Sequence, residues 1–65
     1  MTLDKARQLL QVQVDFGGGY NRNSARLILA EVVREHGQGN ANQLINEMHL
    51  DELFGFAPVP IQHHI

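Results

Sequence analysis

A chain of 65 residues without cysteine excludes disulfides and removes the commonest ligand of structural zinc. Its composition, 43% hydrophobic and 18% charged with a net charge of −2, favours a folded domain and lacks the basic excess of nucleic-acid binders. One small core gives marginal stability, so we expect a homodimer. No apolar run approaches the ~20 residues of a membrane span, and the start lacks signal-peptide features, so we expect a cytoplasmic protein without membrane contact.

The first element, at about residues 2–16, has apolar residues at both helical and strand spacing. Thr2 is a suitable N-cap, and Asp4 in the first turn suits the helix dipole. However, residues 10–16 (LQVQVDF) alternate strictly, which is typical of a half-buried strand. We favour the helix because a lone strand has no partner in so short a chain. A strand paired across a dimer remains the alternative. The helical positions are Leu3, Ala6, Leu9, Leu10 and Val14.

A glycine-rich turn follows at residues 17–20. Gly17 fits a left-handed position after a helix. Glycines before a helix also occur in phosphate-binding loops, where backbone N–H groups face the anion. The segment lacks the lysine of a Walker loop and the second strand of a dinucleotide-binding unit, so we interpret it as a flexible turn. The sequence does not explain why the turn contains three consecutive glycines, Gly17, Gly18 and Gly19.

The second helix is predicted at about residues 22–36, capped by Asn21, Asn23 or Ser24 and ended by Gly37. Its apolar arc is so broad that we expect a central helix, packed by neighbours on more than one side. The arc consists of a stripe of Ala25, Ile28, Leu29, Val32 and His36, widened by Leu27, Ala30 and Val33.

A third helix is predicted at about residues 41–48, with Asn40 and Gln43 as a capping box. A helical turn at 50–54 points Leu50, Leu53 and Phe54 inward and ends at Gly55. Two prolines exclude a helix in the last segment, so an extended arm is expected at 56–65. The predicted fold is therefore all-α, a small three-helix bundle of one domain with a short terminal helical turn and an extended C-terminal arm.

The sequence contains few side chains that could bind a metal or catalyse a reaction. The histidines lack the i, i+4 spacing of a helical zinc site, so no metal or cofactor is expected. Ser24 is explained as a cap and Asp51–Glu52 as an exposed pair, so no catalytic residue is assigned and we expect a non-enzymatic protein. The histidines are His36, His49, His63 and His64.

Two resemblances to known families bear on function. Residues 33–53 resemble the end of Fis-type helix-turn-helix modules in a Gly-Asn pair followed by a hydrophobic helix. That resemblance implies DNA binding, but the candidate recognition segment offers Asp51 and Glu52, and no Lys or Arg follows Arg34. The segment DFGGGY is similar to the Gly-aromatic loop of ubiquitin-associated domains, which implies an analogous three-helix topology with Phe16 and Tyr20 as contact residues.

The sequence thus predicts a small regulatory or adaptor protein that acts through protein–protein interaction with itself and possibly with another protein. An apolar arm held extended by prolines suits docking on a partner, and equally it could fold back onto the core. The predicted partner-binding residues are Phe16, Tyr20, Phe54, Phe56, Val59 and Ile61. The alternative is a nucleic-acid-binding transcriptional regulator that uses Arg22, Arg26 and Arg34 of the second helix.

Overall fold

Four α-helices follow one another along the chain in the computed structural model, which describes residues 1–17 and 21–58. They are α1 (Leu3–Phe16), α2 (Arg22–His36), α3 (Gln38–Glu47) and α4 (Leu50–Phe54). No strand occurs within these two ranges. The all-α prediction is therefore confirmed, and the strand alternative for residues 10–16 is wrong.

Helix α1 begins as its N-terminal sequence predicts. The Thr2 hydroxyl accepts a hydrogen bond from the backbone N–H of Lys5 at 3.1 Å, which satisfies one of the free donors of the first turn. Ala6 and Leu10, four residues apart, are both fully buried. The apolar residues that alternate along residues 10–16 do not share one environment, because Leu10 is buried while Phe16 is 76% exposed. The helical period therefore decides which side chains of α1 enter the core.

Two glycines end the first two helices in a backbone conformation that other residues rarely adopt. Gly17 has φ 68° and ψ 169°, and Gly37 has φ 94° and ψ 162°. Gly17 thus has the expected positive φ, but its ψ is extended rather than left-handed helical. This region is essentially restricted to glycine. Gly18 and Gly19 lie outside the described residues.

Asparagines before α2 and in α3 reach back to the preceding helix instead of capping their own. Asn21 precedes α2 without a side-chain capping bond, and its Nδ2 donates to the carbonyls of Gln13 and Gly17, each at 3.4 Å. Asn40 lies inside α3, which begins three residues before the predicted start. Its Nδ2 donates to the His36 carbonyl at 2.7 Å. The Asn40–Gln43 capping box is therefore wrong, because Gly37 alone reverses the chain.

Helix α2 packs against both α1 and α3, and α3 packs against α4. The central position predicted for α2 is therefore observed. Its apolar arc is nevertheless wider than its neighbours cover, since Leu27 is 63% exposed. Leu53 of α4, expected to face inward, is 49% exposed because Leu50 and Phe54 occupy the inner face. The buried core consists of Ala6, Leu10, Ala25, Leu29, Val32, Ala41, Leu44, Ile45, Leu50 and Phe54.

Candidate interaction surface

The aromatic residues predicted to bind a partner have different environments. Phe54 is 6% exposed and belongs to the core, so it offers no contact surface. Phe56 is half-buried and packs against the core, with its ring centroid 5.9 Å from that of Phe54. The chain after α4 therefore folds back as far as Phe56. Phe16 is the most exposed large hydrophobic residue described. Tyr20, Val59 and Ile61 lie outside the described residues.

Arg22, at the first position of α2, holds this returning segment in place. Its Nε donates to the carbonyl oxygen of Phe54 at 2.9 Å. Its guanidinium carbon lies 5.2 Å from the centroid of the Phe56 ring, a cation–π distance. Arg22 thus contacts the residues that leave α4 and contributes to the fold.

The other two arginines proposed for nucleic-acid binding differ in their contacts. Arg34 makes an ion pair with Glu31, one turn earlier on α2. Arg26 is exposed, and among the described residues no hydrogen bond or ion pair involves its side chain. The structure therefore does not present the three arginines as one equivalent basic stripe.

A row of exposed and half-buried side chains on α1 forms a surface that the sequence interpretation missed. Lys5, Leu9, Val12 and Phe16 recur at i, i+4, i+7 and i+11, so they lie along one face of the helix. We call this row the α1 stripe. Val12 is 46% and Phe16 76% exposed, Lys5 is exposed and Leu9 is half-buried. The spacing of positions 9, 12 and 16 was the available signal, but the strict alternation of residues 10–16 obscured it.

Helix α2 adds further exposed apolar positions. Leu27 lies on the face opposite the buried positions Ala25, Leu29 and Val32, and Ala30 beside it is also exposed. Two consecutive helices therefore each present large apolar side chains to solvent.

A surface depression between polar residues of α1 lacks the features of a catalytic site. It is open to solvent and lined by Asp4, Arg7, Gln8 and Gln11. Arg7 donates through Nε to Glu47 of α3 at 2.6 Å and through Nη1 to Asp4 at 3.1 Å. The hydrogen bond and charge of Glu47 raise the pKa of Arg7 above its usual value. This cluster therefore joins α1 to α3 across the surface, without a nucleophile or an enclosed cavity.

The histidines within the described ranges are separated. His36 Nε2 lies 2.7 Å from the backbone oxygen of Met1, and His49 occupies a left-handed conformation between α3 and α4. No group of three His, Asp or Glu residues able to hold a metal occurs in residues 1–17 and 21–58. His63 and His64 lie outside those ranges.

Comparison with known proteins finds no family model, no curated protein and no solved structure that matches the chain. The resemblances to helix-turn-helix and ubiquitin-associated modules therefore gain no support from these comparisons. In the part of the chain that the structure describes, no helix has the length and apolar character needed to cross a membrane.

Proposed function

We propose that the chain is a small, non-enzymatic interaction protein of the cytoplasm that self-associates and acts through protein–protein contacts. The observation that carries this proposal is the exposure of large apolar side chains on two neighbouring helices, led by Phe16 and Leu27. Large apolar side chains exposed on a small domain favour association, because burying them removes apolar surface from water.

The small size of the hydrophobic core supports the same proposal. Among residues 1–17 and 21–58 the core contains ten residues, three of which are alanines with little side chain to bury. A chain of this length leaves much of its apolar surface accessible when it folds alone. A second copy covering Phe16 and Val12 would add the burial that a 65-residue chain lacks.

The experiment is the solution mass by light scattering after size exclusion, over a range of loading concentrations. We expect the mass to rise from monomer toward dimer. Phe16→Ser and Val12→Ser should each reduce that rise. Leu53→Ser is the control, since Leu53 is also an exposed apolar residue but lies on α4. A monomer at every concentration up to about 1 mM contradicts self-association and leaves binding of another protein to be sought with the same variants.

Nucleic-acid binding is the second candidate, and the exposed Arg26 is the observation that favours it. Binding through phosphates requires a strong dependence on salt, since each contact releases counterions. Titration of a labelled DNA duplex at low and moderate salt tests this, with Arg26→Ala expected to abolish binding if the candidate is right. Arg22→Ala is unsuitable as the primary probe because Arg22 also holds Phe54 and Phe56.

A further inference from the structure

We propose that two copies of the chain pair through their α1 stripes, with the two helices antiparallel about a two-fold axis between Leu9 and Val12. This inference rests on the proposed self-association and specifies its geometry. A closed two-fold dimer uses the same patch on both copies, so the patch must be complementary to itself.

Apolar spacing on α1 provides the first requirement. Leu9, Val12 and Phe16 follow the alternating three- and four-residue spacing of paired helices. In an antiparallel pair centred between Leu9 and Val12, Leu9 of each copy lies against Val12 of the other. Phe16 then lies against Lys5 of the second copy, whose aliphatic stem can cover the exposed ring.

Charge selects the antiparallel arrangement. Lys5 stands at the N-terminal end of the stripe, and Asp15 stands beside Phe16 at the C-terminal end. No ion pair of the Lys5 side chain occurs among the described residues, whereas Asp15 accepts a hydrogen bond from Gln11 at 2.9 Å. Antiparallel pairing brings each Lys5 near Asp15 and the Phe16 ring of the other copy, which suits both charge pairing and a cation–π contact.

Parallel pairing of the same stripes would bring like charges together instead of opposite ones. It would place Lys5 against Lys5, and like charges across an interface are repulsive. It would also align the two helix dipoles. The position of Lys5 therefore opposes the parallel dimer, and the positions of Lys5 and Asp15 together favour the antiparallel one.

The size of the stripe sets the strength of the dimer. Four side chains on one 14-residue helix form a small patch. Weak and transient complexes bury less than about 1,200 Å² in total, so we expect a dissociation constant in the micromolar range or weaker. Measurements must therefore extend to about 1 mM protein to populate the dimer.

Exchanging the charges of Lys5 and Asp15 tests the antiparallel register. The dissociation constant of the dimer is measured by sedimentation equilibrium. Lys5→Glu and Asp15→Lys should each raise the dissociation constant about tenfold, because each places like charges together at two symmetric positions. The double variant should return to within about threefold of the unmodified chain, and an equimolar mixture of the two single variants should also associate. Both single changes suit the α1 dipole, with Glu in the first turn and Lys in the last, so the fold should be retained.

Net charge supplies an internal control. Lys5→Glu makes the chain more negative, whereas Asp15→Lys brings its net charge from −2 to zero. A general charge effect would therefore weaken the first dimer and strengthen the second. Gln43→Glu and Gln43→Lys, on the exposed surface of α3, should leave the dissociation constant unchanged.

Two results would overturn the inference in distinguishable ways. A dimer that forms but is not weakened by Lys5→Glu, or not restored in the double variant, excludes the antiparallel α1 pairing and leaves self-association standing. An unmodified chain that stays monomeric up to about 1 mM contradicts both this geometry and the proposed dimer.

Discussion

The guanidinium of Arg22 lies over the ring of Phe56, 5.2 Å from its centroid, while Arg22 Nε donates to the backbone oxygen of Phe54. These contacts join the first residue of α2 to the segment that leaves α4, across 32 positions of sequence. A chain segment that folds back over the core and is held by such contacts can stabilise a small domain without a further helix.

Replacing Arg22 should therefore affect stability. We expect Arg22→Ala to lower the free energy of unfolding by about 1–2 kcal/mol through loss of the hydrogen bond and the cation–π contact. Arg22→Lys should have an intermediate effect, since it keeps the charge but loses the Nε–H donor. Urea denaturation followed by circular dichroism measures both. Arg26→Ala is the control and should change stability by less than about 0.5 kcal/mol; equal losses at the two positions would contradict this role of Arg22.

The glycines around the α2–α3 junction provide a matched pair. Gly37 has φ 94° and joins the two helices, whereas Gly39 lies within α3 at an exposed position. Gly37→Ala should lower the free energy of unfolding by about 1–3 kcal/mol, because alanine is strained at that backbone conformation. Gly39→Ala should raise it by about 0.5–1 kcal/mol, because alanine favours the helix. Thermal denaturation of both variants checks the opposite signs, and a loss at Gly39 would show that its site is not an ordinary helical one.

The N-cap of α1 gives a smaller expected effect. Thr2→Ala removes the acceptor for the Lys5 N–H and should cost about 1 kcal/mol, while Thr2→Ser retains the hydroxyl and should cost little. The helical circular dichroism signal and the midpoint of urea unfolding measure the difference. Similar losses in the two variants would indicate that the threonine methyl, rather than the hydroxyl, matters.

Acid should weaken the contact between the N-terminus and α2. A hydrogen bond from the Met1 ammonium lowers the pKa of Glu35 below its usual value. Since the folded state holds the charged carboxylate more strongly than the unfolded chain does, this stabilisation is present above the ordinary carboxyl pKa. It is lost as the pH falls through the lowered pKa of the folded state.

Stability measured from pH 7 to pH 2 checks this contribution. We expect Glu35→Gln to reduce the stability at pH 7 and to flatten part of the decrease on the acid side. Acetylation of the Met1 amine should have the same direction of effect, because it removes the ammonium. An unchanged pH profile in both modified chains would show that the Glu35 pair contributes nothing to stability.

Local sequence rules predicted the helices of this chain because most of its helix signals act within one turn. The Thr2 cap, the buried spacing of Ala6 and Leu10, and Gly37 at the end of α2 all depend on neighbours within four residues. The central position of α2 also followed from its wide apolar arc. These features require no knowledge of which helices meet.

Features that depend on tertiary contact were predicted less well. Asn40 is favourable as an N-cap by composition, but its side chain bonds to His36 of the preceding helix, so α3 begins earlier. Phe54 and Phe56 were grouped as contact residues, because nothing in the local sequence shows that Arg22 draws the chain back over the core. The α1 stripe became evident only once the burial of Leu10 had fixed which face of α1 is covered.

The main packed pairs, α1 with α2, α2 with α3 and α3 with α4, are all neighbours along the chain. Each pair can close after diffusion over one short connection, so little loop entropy opposes assembly. Domains with such local topology fold within about microseconds to milliseconds. A freshly synthesised copy would therefore cover its core well before it meets a second copy, and association would join partners that are already folded.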